Sequence, residues 1–255
     1  MQRVFWGIAL SVLLAGSANA ALLSRAGGQA YYDTVLDITW LANANLADTN
    51  AFGVTDINAN GTMTWAIATD WIAAMNTAAY LGISNWRLPT VVDTGTLGCN
   101  FAYTGTDCGY NVDLSTGEMA HLFYSTLGNT GHYDTGGSPT GCGPPSPYCL
   151  TNTGPFSNLQ PDYYWSGTTY APSSSHAWFF AFFNGLQHRY NKGHYSFYAW
   201  AVSPGDALVP VPAAVWLFGS ALGVMGLLRR KAQTGTGRLR CRVWLIGLLS
   251  NPASR

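Results

Sequence analysis

The sequence predicts an α+β fold in which two helices lie beside an antiparallel sheet with long loops. Three observations carry this prediction: two stretches with helical spacing of apolar residues, several aromatic-rich stretches that alternate as strands do, and 29 glycines with 12 prolines. The 255 residues, 48% of them hydrophobic, suffice for one domain core with appendages. We divide the chain into a signal peptide (1–20), a globular body (21–208), a sorting segment (209–232) and a tail (233–255).

The body is acidic, although the formal charge of the whole chain is zero. Residues 21–208 contain all 12 acidic residues and four cations, a net charge of −8. The four cations are Arg25, Arg87, Arg189 and Lys192. An acidic surface repels the phosphates of nucleic acids and the sulfates of sulfated sugars. Nucleic acid is therefore excluded as a partner, and direct binding of sulfated glycans is disfavoured.

Residues 1–20 have the pattern of a secretory signal peptide. Arg3 precedes an apolar run over residues 4–15, and the segment ends in Ala18-Asn19-Ala20. We expect signal peptidase to cleave after Ala20. A membrane anchor is the alternative, but the apolar run is short for one.

The first elements of the body are a hairpin and a helix. Residues 29–33 and 36–41 are rich in β-branched and aromatic residues, with turn chemistry at Asp33-Thr34 between them. From Thr64 the spacing becomes helical, with Thr64 as N-cap and Trp and Met residues along one stripe. The sequence predicts a helix over residues 64–79 whose stripe packs in the core.

Between the hairpin and the helix lies half of a calcium-binding pattern. Asp56, Asn58 and Asn60 precede Gly61 as in the first half of a D-x-N-x-N-G loop, where alternate side-chain oxygens converge on a cation. Ile67 stands where the closing glutamate is needed. Calcium is therefore the one cofactor we consider, and a solvated Asx turn is the favoured alternative.

The six residues Asn85-Trp86-Arg87-Leu88-Pro89-Thr90 follow the first helix. Proline fixes its own φ and biases the preceding residue to extended geometry, so we expect a short strand from Trp86 to Leu88 that ends at Pro89. Arg87 offers five donors in a rigid fork. We expect it to tie loop carbonyls or a carboxylate together as a structural residue.

Four cysteines of the body lie in two glycine-rich loops. In an exported domain they predict two disulfides, and of the three connectivities we favour Cys99–Cys108 and Cys142–Cys149. A metal site is the alternative; the spacings are not those of zinc sites, and no histidine is expected beside either pair. Cys241 in the tail is the fifth cysteine.

The second helix is predicted over residues 116–128. Ser115-Thr116-Gly117-Glu118 has the pattern of a capping box, and apolar residues follow at helical spacing. Glu118 is the only glutamate of the chain. A catalytic carboxylate is the alternative role, but capping already explains this residue.

After a long Gly/Pro/Ser-rich loop over residues 129–162, four segments alternate aromatic with small or polar residues. They span residues 163–169, 176–183, 186–190 and 196–202. Asn184-Gly185 indicates a tight hairpin between the second and third. We expect these four strands to form the main antiparallel sheet.

Three blocks in order resemble the Lcl C-terminal domain family. They are Trp86-Arg87-Leu88-Pro89-Thr90, the Tyr32-Asp33 to Leu41 segment, and Tyr164-Trp165-Ser166-Gly167-Thr168 with His176-Ala177-Trp178-Phe179-Phe180. The resemblance covers roughly residues 30 to 206. It implies a C-type-lectin-like body and adhesion, which in the founding collagen-like adhesin is directed toward sulfated glycans.

The segment after the body resembles a PEP-CTERM sorting signal. Val209-Pro210-Val211-Pro212 precedes 16 apolar or small residues, roughly 24 Å at helical rise, and then Arg229-Arg230-Lys231. The resemblance implies a transmembrane helix that is held briefly in the inner membrane and recognised by an exosortase. An ordinary tail anchor is the alternative. The tail at 233–255 departs from the family, and it either lies along the inner membrane surface or has no function.

No catalytic motif can be read from the sequence, and its five histidines are scattered. We therefore expect a non-enzymatic adhesion module that contacts polysaccharide or a surface protein. The favoured ligand is a neutral sugar stacked on aromatic rings. A purely structural matrix component and an extracytoplasmic enzyme are the alternatives. The candidate contacts are on the late hairpin and its turn: Tyr170, His188, Tyr190, Lys192, His194 and Tyr195.

Overall fold

The computed structural model describes residues 21–95, 99, 106–145 and 148–208. The predicted signal peptide, the predicted sorting segment and the tail lie outside these residues. Within them the fold is α+β, as predicted, with two helices and two antiparallel sheets. In the part of the chain that the structure describes, no helix combines the length and apolarity that crossing a membrane requires.

The first sheet joins the two ends of the body. Its four strands are β1 (Leu22–Arg25), β2 (Ala30–Asp33), β3 (Ile38–Leu41) and β7 (Val202–Pro204), in the order β1-β2-β3-β7, and all neighbours are antiparallel. The predicted hairpin is confirmed as β2 and β3. Its turn is stabilised by Asp33, whose buried carboxylate accepts the N–H groups of Val35 and Leu36.

The second sheet carries the late aromatic segments. It contains β4 (Tyr163–Thr169), β5 (His176–Ala181) and β6 (Leu186–Asn191) in that order, also antiparallel. The prediction of a fourth strand in this sheet is wrong. Tyr198 makes an isolated bridge to Tyr164, whereas Val202 pairs with Trp40 of the first sheet. Residues 197–202 are all buried, and this run crosses from one sheet to the other through the core.

Helix α1 (Trp65–Thr77) is confirmed and ends two residues before the predicted boundary. Thr64 Oγ1 accepts the N–H of Ile67 as the N-cap, and Ala68, Trp71, Ile72 and Met75 form the buried stripe. The helix ends because Ala79 adopts a left-handed conformation with φ of 46°.

Helix α2 (Glu118–His121) is shorter than predicted and continues as a π-helical turn over Leu122–Thr126. The capping-box prediction is wrong. Gly117 is the N-cap and provides no side-chain bond, while the Ser115 hydroxyl donates to Asp113. The Glu118 carboxylate instead accepts two hydrogen bonds from Arg87, each 2.7 Å long, and one from the N–H of Thr90. A charge-assisted bidentate pair outcompetes a backbone cap.

The expected strand at Trp86 is reduced to a single bridge. The backbone N–H and C=O of Arg87 both bond Val202, at 2.8 and 2.9 Å. Trp86 itself is buried, and its indole N–H donates to the carbonyl of Tyr80. Pro89 follows this bridge and cannot donate to a further pairing, which explains why no longer strand forms.

One core serves both sheets. The Trp200 ring lies 4.7 Å from Trp40 of β3 and 6.0 Å from Tyr164 of β4, centroid to centroid. Its indole N–H donates to the carbonyl of Leu41. Both tryptophans and Tyr164 are completely buried. The two sheets therefore pack against the same aromatic cluster.

Both predicted disulfides are present, with Cα–Cα distances of 4.8 Å for Cys99–Cys108 and 4.9 Å for Cys142–Cys149. The second disulfide lies in the long loop over residues 129–162. The same loop is tied by the buried Asn129, whose side-chain oxygen accepts the N–H groups of Thr151 and Asn152. The described part of this loop thus has its own internal bonding.

Candidate functional site

A cavity of about 310 Å³ opens on one face of the second sheet. We call it the aromatic groove. Six of its seven lining residues carry aromatic rings, and none is acidic, lysine or arginine. They are Tyr163, Phe179, Leu186, His188, Tyr190, Tyr195 and Phe197.

Strand geometry explains why these residues share one face. Successive side chains of a strand point to opposite faces, so Leu186, His188 and Tyr190 of β6 line the same side. In the register of the sheet, Phe179 is opposite His188, and Ala177 is opposite Tyr190. The short side chain of Ala177 leaves space beside the tyrosine.

The chain that returns after β6 forms the other wall of the groove. Tyr195 packs edge-on against Tyr190, with ring centroids 4.3 Å apart. These two rings are 46% and 39% exposed, the only large aromatic side chains so exposed among the described residues. The wall is held in place because Phe197 exchanges two backbone hydrogen bonds of 2.9 Å with Met63.

The groove is uncharged at neutral pH. Burial holds the pKa of His188 below its ordinary value of 6.5, and the nearby Arg189 acts in the same direction, against a backbone hydrogen bond that opposes them. Hydrogen bonding to Tyr195 raises the pKa of Tyr190, and burial raises that of Tyr163. The groove therefore presents neutral rings with polar hydroxyl and imidazole groups to a ligand.

Three of the six predicted contact residues line the groove: His188, Tyr190 and Tyr195. Tyr170 does not, because it is only 6% exposed and packs against Trp178. Lys192 lies with its Nζ 4.1 Å above the ring of Trp65 and donates to Thr169. His194 is exposed but lies outside the lining.

Sequence reasoning missed four lining residues: Tyr163, Phe179, Leu186 and Phe197. Phe179 and Leu186 follow from the alternation of the β5–β6 hairpin once its register is known. No local signal points to Tyr163 or Phe197. Their rings stack at 4.9 Å because the returning chain crosses β4, which only the tertiary fold determines.

The cations of the body fall into two groups. Arg25 pairs with Asp206 and Arg87 with Glu118, and Arg25 also lies 5.6 Å from the ring centroid of Tyr32. Arg189 and Lys192, both close to the groove in sequence, instead lie over aromatic rings; the guanidinium of Arg189 is 4.6 Å from the centroid of Tyr170. Among the described residues, no carboxylate lies within ion-pair distance of either.

The residues of the half calcium-binding pattern form a turn that is closed by hydrogen bonds. Asn60 Oδ1 accepts the N–H and the hydroxyl of Thr62, as an Asx turn does, and the Asn58 amide donates to the same hydroxyl. Asp56 accepts a hydrogen bond from Thr55. Calcium binding here stays a prediction.

The expectation that no histidine lies beside the cysteine pairs is wrong. His188 lies near Cys99 and Cys108, and His132 near Cys142 and Cys149, with the potential ligand atoms of each group within 4.8 Å of one another. His188 comes from a separate part of the chain, whereas His132 lies in the same loop as Cys142, 10 residues before it. The sulfurs are joined in disulfides, however, and thiolates are the form of cysteine that binds metals.

A second polar cluster contains Asp33, Thr126 and His121. The Thr126 hydroxyl is 3.2 Å from the Asp33 carboxylate and 3.4 Å from His121 Nδ1. Asp33 is fully buried and also closes the β2–β3 turn, and none of the three residues lines the groove. The cluster therefore links α2 to the first sheet as a structural contact.

Comparison with known proteins returns one relationship. No curated protein and no solved structure shows a significant match to this chain. The profile of the Lcl C-terminal domain matches residues 29–203, which include both sheets except β1 and the end of β7, and both helices. This match spans well over half of the sequence, and the chain therefore belongs to the Lcl C-terminal domain family.

Proposed function

We propose that the protein is an exported, non-enzymatic surface or extracellular-matrix module that binds neutral polysaccharide through the aromatic groove. The observation that carries this proposal is the pair of exposed tyrosine rings, Tyr190 and Tyr195, at the mouth of an uncharged cavity. Apolar faces of sugar rings pack on aromatic rings, while tyrosine hydroxyls supply hydrogen bonds to sugar hydroxyls.

Electrostatics favours a neutral ligand over a sulfated one. The body has a net charge of −8, which repels polyanions. Two of its four cations are engaged by carboxylates, and none lines the groove. Membership of the family supports adhesion as the general role, and the groove supports the choice of ligand.

A C-type-lectin-like arrangement of the body is part of this proposal. Three features support it: strands from both ends of the body share one sheet, a second sheet carries the long loops, and disulfides close two of those loops. In this arrangement the groove lies on the second sheet.

Export is the other part of the proposal. The pattern of residues 1–20 fits signal peptidase, and the two disulfides fit an oxidising compartment. The segment at 209–232 fits a sorting helix held in the inner membrane until an exosortase acts, and we assign no function to 233–255. Cell fractionation with intact-mass measurement tests these steps together: we expect an extracytoplasmic product without residues 1–20 and with both disulfides. A cytosolic product with free thiols would overturn export.

Sugar binding is tested by incubating the purified protein with arrayed neutral, acidic and sulfated glycans, with and without calcium. We expect binding to neutral glycans and a loss of at least about tenfold in Tyr195→Ala, because a hot-spot aromatic side chain contributes about 2 kcal/mol or more. Tyr32→Ala, which removes a tyrosine from the first sheet, should bind normally.

The failure of every glycan to bind would overturn the ligand assignment. It would favour the structural alternative or a partner protein at the same surface. Turnover of a bound glycan would instead favour the enzymatic alternative. Dependence of binding on calcium would support the half-motif at Asp56, Asn58 and Asn60.

A further inference from the structure

A second cavity of about 310 Å³ lies beside the aromatic groove. We call it the loop pocket. Its rings are Tyr110, His132, Tyr133, Tyr148 and Phe183, and Asn184 adds an amide. Like the groove, it is lined by no acidic residue, lysine or arginine.

One pair of rings joins the two cavities. Tyr163 lines the aromatic groove and Phe183 lines the loop pocket, and their ring centroids are 5.0 Å apart. Phe183 in turn lies 6.0 Å from the ring of Tyr148. Phe197 lies 6.2 Å from Tyr195 and 4.9 Å from Tyr163, so a chain of neighbouring aromatic rings runs from Tyr195 to Tyr148.

The loop pocket is held in shape by bonds from several directions. The Cys149 N–H donates to the Phe183 carbonyl at 3.0 Å, and the disulfide to Cys142 closes the loop behind it. The His132 N–H donates to the Asn184 carbonyl at 2.8 Å. The Asn111 side chain donates to the Tyr133 carbonyl. A pocket braced in this way loses little conformational entropy on binding.

The volumes of the two cavities favour a ligand that occupies both. Ligand pockets span roughly 300–1,000 Å³, so each cavity alone is at the small end of that range. A ligand that occupies both gains the second set of contacts intramolecularly, which can raise overall affinity by roughly 10²–10⁴. A short sugar in one cavity gains none of this.

We propose that the aromatic groove and the loop pocket are two subsites of one site, and that its ligand is an extended stretch of a neutral polysaccharide. This inference rests on the proposed sugar binding and adds that the ligand is recognised along its length. Phe183 and Tyr163 form the contact between the subsites. An uncharged lining rich in tyrosine fits hydroxyl-bearing sugar rings rather than a charged chain.

The test is a length series, with β-1,4-linked and α-1,4-linked glucose oligosaccharides of two to eight units as probes in calorimetry. We expect the longer members of at least one series to bind at least about tenfold more tightly than the disaccharide. Tyr148→Ala should lower the affinity for the longer probe to that for the disaccharide and leave the disaccharide unchanged. Tyr195→Ala should weaken both probes.

Controls separate a lost subsite from a damaged fold. Tyr148→Phe keeps the ring and should keep most of the length dependence, and Tyr32→Ala should bind as the parent protein does. Near-ultraviolet circular dichroism and intact mass show whether each variant keeps its packing and disulfides.

Two results would overturn the inference in distinguishable ways. Equal affinity for short and long probes, or an unaltered length dependence in Tyr148→Ala, would overturn the two-subsite arrangement while the groove remains a sugar site. Where neither glucose series binds, oligosaccharides of the neutral glycan that binds on the array serve as the length series. The absence of binding by every neutral glycan would overturn the inference together with the proposed sugar binding.

Discussion

The two sheets of the body differ in the partners of their cations and in the exposure of their aromatic rings. In the first sheet, Arg25 of β1 pairs with Asp206, and Arg87, which bridges to Val202, pairs with Glu118. In the second sheet, Arg189 lies over Tyr170, and Lys192 just beyond β6 lies over Trp65. The two cations of the first sheet thus form ion pairs that hold distant segments together, although Arg25 also lies 5.6 Å from the ring centroid of Tyr32. Among the described residues, the two cations of the second sheet lie over rings and have no carboxylate partner.

We infer from this difference that the two sheets have different roles. Contacts of the first sheet connect residues far apart in the chain, such as Arg25 with Asp206, so it closes the body. The second sheet shares the core with the first but leaves Tyr190 and Tyr195 exposed on its outer face. We therefore expect substitutions near the first sheet to reduce stability, and substitutions on the outer face of the second sheet to affect binding.

The largest effect should come from Trp200→Ala, which removes the ring between Trp40 and Tyr164. Truncating a buried tryptophan costs about 3–5 kcal/mol in the free energy of unfolding. Because the sheets share this core, chemical denaturation should still show one transition for both. Trp200→Phe should cost less. Two separate transitions would show that the sheets are independent units.

The double variant Cys142→Ser/Cys149→Ser tests how much the disulfide of the loop over residues 129–162 contributes to stability. Closing a loop of this size by a disulfide stabilises the folded state by about 2.5 kcal/mol in the chain-entropy model, so the midpoint of denaturation should fall accordingly. Cys99→Ser/Cys108→Ser should cost a similar amount, since the sequence separations are 7 and 9. A large difference between them would mean that local packing outweighs loop closure.

Glu118→Gln tests the ion pair of the first region. It removes the charge from a carboxylate that accepts two bonds from Arg87 and one from Thr90. We expect a loss of about 2 kcal/mol, because bonds to charged groups contribute about 1.5–3 kcal/mol and the pair is partly exposed. Asp113→Asn, a nearby exposed acid, is the control and should cost less. Equal losses would indicate a general charge effect.

Lys192→Met tests the corresponding cation of the second region. A cation above an aromatic ring at a partly exposed site contributes about 0.5–1 kcal/mol, so the variant should lose less stability than Glu118→Gln. Lys192→Arg keeps the charge and should retain most of the contact. If Lys192→Met cost as much as Glu118→Gln in thermal denaturation, the contrast between the two regions would be wrong.

The smallest effect concerns pH. Burial holds the pKa of His188 below 6.5, so protonation favours the unfolded chain. This contribution to stability is complete above the unfolded pKa of about 6.5 and decreases as the pH falls from there through the folded pKa. His188→Gln should flatten the curve of unfolding free energy between neutral and acidic pH. His194→Gln, an exposed neighbour, should keep the acidic decrease that His188 causes.

Much of the fold could be predicted because its signals are local. Helix α1 has both a cap at Thr64 and a buried stripe within its own 13 residues. The β2–β3 hairpin is closed by Asp33, which belongs to the hairpin itself. Both disulfides close short loops, so the nearest partner was the right one.

Two of the errors share one cause, which is competition between local and distant partners. Glu118 was expected to cap its own helix but bonds Arg87, 31 residues away. Val202 was expected in one sheet with the other late strands but pairs with Trp40 of the first sheet. In both cases a local pattern was present, and a stronger distant partner displaced it.

Three of the six contact residues predicted from the sequence lie in the candidate site. His188, Tyr190 and Tyr195 were found because they alternate on one hairpin and its return. Tyr170 was misplaced because the same alternation does not tell which face is covered, and here Trp178 and Arg189 cover it. The junction of Tyr163 with Phe183 joins two segments whose proximity no spacing reveals.

By itself the sequence determined the class of fold, the disulfide pairs and the family, since each depends on residues close together or on motifs in a given order. Only the tertiary structure decided which sheet the end of the body joins, which carboxylate Arg87 binds and where rings form a groove. The physical reason is that these features depend on which of many distant partners excludes the others. That choice is made by the packing of the whole core.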